Sequence, residues 1–99
     1  MLTWARTSCF PSKNLGAATA WAREVAAHVT KKTGNEIKVE VALSGNPYRI
    51  RWVGETESMA AHEQAFNKVM SDSKYMELLA KAADLFIPGT TTDEFWRSL

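Results

Sequence analysis

Arg49 and Arg51 stand two residues apart in Tyr48-Arg49-Ile50-Arg51-Trp52, a spacing that puts both guanidinium groups on one side of a β-strand. Upstream, Ile37, Val39, Val41 and Leu43 alternate with Lys38, Glu40 and Ala42, so the two segments read as one hairpin closed by Ser44-Gly45-Asn46-Pro47. In that register Leu43 faces Tyr48, Val41 faces Ile50, Val39 faces Trp52, and Glu40 forms an opposite-charge pair with Arg51. Guanidinium forks suit carboxylates and other planar anions. Arg6, with Trp4 on the same side of its strand, adds a third guanidinium and an aromatic wall if that strand turns the same way. Trp4, Arg6, Glu40, Arg49 and Arg51 are thus the candidate ligand-binding residues, for a small anionic or aromatic molecule. The plainer alternative is that these charges are paired or solvated, as on any sheet face left to water.

His62 is the candidate catalytic residue. Its spacing with Met59 and Phe66 places it on the apolar side of a helix, facing the sheet, where a neutral imidazole can take or give a proton near neutral pH. A packed, hydrogen-bonded histidine satisfies the same pattern. No Cys, Asp or second His stands at metal-ligand spacing, so no metal site is expected. His28, beside Val25 and Val29, reads as packing. Cys9 ends a strand with no base adjacent in sequence, which leaves an inert thiol. Trp21 and Trp52 read as core, whereas Trp4 and Trp96 depend on how their strands face.

The elements that hold these residues follow from periodicity and stop signals. Leu2 to Cys9 reads as a strand ended by Phe10-Pro11. Ser12 or Asn14 then caps a helix with Leu15, Ala18, Ala22, Val25 and Val29 on its buried stripe and Gly34 as its stop. After the hairpin, a helix starts near Thr56 or Ser58, breaks at Ser71-Asp72-Ser73, and resumes with Tyr75, Leu78, Leu79, Ala82 and Phe86 on one side. Beyond Pro88-Gly89, Thr90 to Trp96 reads as a final strand. The order is β-α-β-β-α-α-β: an α+β, ferredoxin-like domain whose four-stranded antiparallel sheet carries helices on one face.

Composition sets the limits. Ninety-nine residues, 45% hydrophobic, support a single domain over 1–99. A formal charge of +1 from 12 basic and 11 acidic residues carries no polyanion signal, so nucleic acid is not an expected partner. No apolar run approaches the roughly 20 residues of a membrane span. Cys9 is the only cysteine, and no secretory leader is visible, so a reducing cytoplasm is the expected compartment.

The chain resembles the dimeric α/β-barrel superfamily, which includes antibiotic-biosynthesis monooxygenase-like and NIPSNAP-like domains. The resemblance rests on length, element order, the stretch from Arg51-Trp52 to Glu55, Ala65-Phe66, and the helix break at Ser71-Asp72-Ser73-Lys74-Tyr75. It implies a homodimer whose helix-free sheet faces pair and line a central barrel. It also implies a cofactor-independent, monooxygenase-like enzyme acting on an aromatic or acidic small molecule; the alternative is a non-catalytic small-molecule-binding or dimerisation module. Haem-degrading members carry a strand Asn, a helix Trp and a helix His toward the haem. The first strand here has no Asn, and Leu78-Leu79 follow the helix break where a His would be needed.

Overall fold

A computed structural model describes all 99 residues. Strand β1 spans Leu2–Cys9; helix α1, Leu15–Thr33; the hairpin strands β2 and β3, Lys38–Val41 and Arg49–Thr56; helices α2 and α3, Met59–Met70 and Ser73–Lys81; and strand β4, Thr92–Arg97. All strand pairs are antiparallel, in the spatial order β2-β3-β1-β4. This is the α+β arrangement expected from the element order. No helix is long and apolar enough to cross a membrane.

Local chemistry accounts for the boundaries. Phe10-Pro11 ends β1, and a single 3-10 turn, Ser12–Asn14, leads into α1. Neither Ser12 nor Asn14 caps α1 with its side chain; the Asn14 amide instead donates to the carbonyls of Asp84 and Leu85, tying this entry to the segment after α3. Gly34 stops α1 in the left-handed region at φ 78°. The Ser58 hydroxyl caps α2 by accepting from the Ala61 N–H at 3.1 Å. Asp72 caps α3 by accepting from the Tyr75 N–H at 3.0 Å and also binds the ring of His28 on α1. Helix α3 ends at Lys81, so Phe86 reaches the core from the turns that follow rather than from the helix stripe.

The hairpin register holds at Val39–Trp52, Glu40–Arg51 and Val41–Ile50, but Leu43 does not pair with Tyr48. The ladder's last contact is the Ala42 N–H donating to the Arg49 carbonyl. Beyond it, Tyr48 accepts from the Phe10 N–H through its own carbonyl and sets its ring edge-on to Phe10. Leu43 is left 97% exposed.

Residues directly opposite on paired strands share a face, so the registers assign every sheet side chain. One row crosses all four strands as Val39, Trp52, Arg6 and Asp93; its neighbour contains Gly54, Trp4 and Phe95. These rows face the helices. The opposite face carries Lys38, Glu40, Arg51, Val53, Ala5, Glu94 and Trp96. Ala18 and Ala22 are fully buried on α1, so their small side chains let that helix approach Ile50 and Trp52. The indole N–H groups inside are satisfied: Trp52 donates to the Ala22 carbonyl and Trp21 to the Leu78 carbonyl.

Candidate functional site

The registers separate the expected arginine cluster. Arg49 and Arg51 lie on the helix-free face, whereas Arg6 and Trp4 lie on the helix-covered face. The three guanidinium groups therefore do not converge. Arg51 binds one Glu40 carboxylate oxygen through Nε at 2.9 Å and a terminal nitrogen at 2.7 Å. Arg49 donates to the Asn46 and Ser44 carbonyls at 2.7 and 2.9 Å, bracing its own turn. One two-nitrogen edge of each guanidinium is thus taken, by Glu40 or by the turn.

The helix-covered face holds a different site. Between β1, β3, α1 and α3 lies a partly open chamber of about 230 Å³, with Trp4, Trp21, Trp52 and Phe86 among its walls. A second space of about 80 Å³ adjoins it beneath α2 and is lined by His62 and Phe66. Trp4, Arg6 and Tyr75 line both. The larger chamber exceeds the roughly 150 Å³ known to hold benzene in an apolar cavity. Its size and walls suit a flat aromatic molecule.

Few polar groups reach this space. Arg6 makes a two-point bond to Asp93, Nε to Oδ1 at 2.7 Å and Nη2 to Oδ2 at 2.9 Å. The Trp4 indole N–H also points to Asp93, at 3.5 Å. The Arg6 guanidinium carbon lies 5.6 Å from the Trp4 ring centroid and 5.9 Å from that of Phe66, within cation–π range. Its bond to Asp93 raises the Arg6 pKa against the opposing effect of burial, while Arg6 holds the Asp93 carboxyl below its usual range. Both charges are thus fixed at neutral pH.

His62 does face the sheet. Its ring lies 4.9 Å from Phe95 edge-on, 5.6 Å from Trp4 and 6.3 Å from Phe66 in a stack. Burial pushes its pKa down, Asp93 opposes that, and Arg6 adds to it. The imidazole is therefore neutral at pH 7 and able to accept a proton. Tyr75 is 7% exposed and lines both spaces, with its hydroxyl interacting with the Arg6 guanidinium.

Tyr75 and Asp93 escaped the sequence reading. Tyr75 looked like one member of an apolar helix stripe, and a phenol serves equally as core and as donor. Asp93 alternates with Thr91 and Phe95, which shows that they share a face without showing which one. His28, read as packing, belongs instead to the Asp72 clamp, with Lys32 3.7 Å from the same carboxylate. Cys9 lies opposite Arg49 on the helix-free face, away from the chamber.

No family model and no curated protein matches the chain. Solved structures do. A NIPSNAP-family protein of unknown function from Agrobacterium tumefaciens is 14% identical with a TM-score of 0.84, over 99% of this chain and 87% of that one. An uncharacterised NIPSNAP domain protein from Burkholderia xenovorans is 8% identical with a TM-score of 0.86, over 100% and 95%. A Nitrosomonas europaea protein proposed as an antibiotic biosynthesis monooxygenase is 11% identical with a TM-score of 0.75, over 100% and 99%. At such identities the likeness is one of fold. The chain has the ferredoxin-like α+β architecture of these NIPSNAP-family and antibiotic biosynthesis monooxygenase structures.

Proposed function

We propose that the protein binds a flat aromatic molecule in the chamber between sheet and helices and acts on it as a cofactor-independent, monooxygenase-like enzyme. The observation carrying this reading is the aromatic-walled chamber of about 230 Å³ that adjoins a neutral, partly buried imidazole. Catalysis needs a base within reach of the ligand in a site that limits water, and His62 lines the adjoining space. A phenol with a free para C–H gives a balanced reaction: phenol plus O2 yields the quinone and water. One oxygen atom enters the ring and the other leaves as water with the two hydrogens lost. His62 takes the hydroxyl proton, and the Tyr75 hydroxyl and Arg6 orient the ring oxygen. A homodimer formed through the helix-free sheet faces is proposed with it, supported by the fold likeness.

The test uses 1-naphthol, which fits the chamber and has a free para position. Calorimetry measures its binding under nitrogen; an oxygen electrode and quinone absorbance measure turnover in air. The expected result is binding with one O2 consumed per quinone formed, and a rate at least tenfold lower in His62→Gln, within the usual contribution of a general base. Binding without oxygen uptake moves the protein to the binding-module reading. No binding removes the chamber as a site.

A further inference from the structure

We infer that Asp93 sets the charge of the ligand this chamber accepts: by occupying the recognition edge of Arg6, it makes the chamber selective for uncharged aromatic molecules over carboxylates. The inference rests on the chamber being the ligand site, as proposed above.

Arg6 is the only cationic residue among the chamber's walls, and an arginine there would ordinarily favour an anion. Its Nε and Nη2, one of the two-nitrogen edges that grip a carboxylate, are already bonded to Asp93. The cation also sits over the Trp4 and Phe66 rings, with Cζ within 6 Å of each centroid. What remains of the guanidinium is shared with the Tyr75 hydroxyl, which interacts with it. A phenol hydroxyl beside this guanidinium edge suits a single hydroxyl or carbonyl oxygen better than the two oxygens of a carboxylate.

The surrounding charge points the same way. Arg6 and Asp93 cancel, and His62 is neutral. A carboxylate entering the apolar chamber would be desolvated without a free counter-charge, a costly transfer. A phenol meets no such penalty. If His62 then takes its proton, the phenolate and imidazolium form as a pair and the net charge of the chamber is unchanged. Asp93 acts through Arg6 as a positioning residue and does not line the cavity itself.

The test compares 1-naphthol with 1-naphthoate, uncharged and anionic at pH 7 on the same ring, by calorimetry under nitrogen. Wild-type protein is expected to bind 1-naphthol at least tenfold more tightly. Asp93→Asn frees the Arg6 edge and should bring 1-naphthoate to parity or better, while 1-naphthol changes less than threefold. Adding Arg6→Met to that variant should abolish the gain for 1-naphthoate, which a merely structural loss at position 93 would not do. Equal affinities in the wild type, or an unchanged ratio in a folded Asp93→Asn, overturn the inference. If Asp93→Asn does not fold, the wild-type ratio decides alone. Failure of both probes to bind overturns the chamber reading, and this inference with it.

Discussion

Burial among Trp4, Phe66 and Phe95 disfavours the charged form of His62 and holds its pKa below the ordinary 6.5. The unfolded chain therefore takes up this proton at higher pH than the folded protein, so folding stability declines as pH falls below 6.5. His62→Phe should flatten that decline: urea midpoints at pH 7.5 and 5.5 are expected to differ less in the variant than in the parent, and equal differences would contradict the assignment. Asp93 acts further into acid, because its folded pKa lies below 3.8; its stabilisation is present above that value and lost as pH drops through the lowered one. At this scale the sequence was only partly legible. His62 was visible because its helix has a clear 3.6-residue period. The face taken by Trp4 and Arg6 stayed open because Leu-Thr-Trp-Ala-Arg-Thr-Ser-Cys alternates without separating apolar from polar residues. The partner that shows which way Arg6 turns lies 87 positions away, beyond any local pattern.

Elements were easier to read where two independent signals agreed. The hairpin carries both a period of two and a cross-strand charge pair, and Glu40–Arg51 stands as expected. Leu43–Tyr48 failed because only alternation supported it, while Pro47, the Arg49 braces and the pull of Phe10 on Tyr48 all favour a longer loop. Within β3, Gly54 looked unremarkable in sequence. Its missing side chain leaves room in the smaller space beside the chamber: a Cβ there would lie 2.8 Å from Ile37 Cδ1 and 3.7 Å from Trp4 Cε3, two residues that line both spaces. Gly54→Val should displace Ile37 and fill this end of the site. We expect at least tenfold weaker 1-naphthol binding by calorimetry, with a stability loss of about 1–3 kcal/mol from overpacking. Unchanged affinity in the folded variant would place the ligand elsewhere.

For the whole molecule, the helix-free sheet is the surface where a second copy is proposed to dock. Trp96 stands 63% exposed on it, opposite Thr3, while Ala5 and Val53 pair in the sheet centre. Sedimentation at micromolar concentration should give a mass near twice 11.0 kDa. Val53→Glu, which puts an unpaired carboxylate at the centre of that face, should yield a monomer with 1-naphthol affinity intact; a wild-type monomer would refute the docking. Strand β1 is the first in the chain, yet it sits between β3 and β4, whose pairing residues come later by 40 positions (Cys9–Arg49) to 95 (Leu2–Arg97). No hairpin can nucleate its pairing, so β1 must await two long loop closures, and such non-local topologies fold slowly. The β2–β3 hairpin can form early on local contacts alone. Arg6 meets Asp93 only once β4 pairs with β1, so the one guanidinium in the chamber wall stays uncompensated until the two ends of the chain are joined.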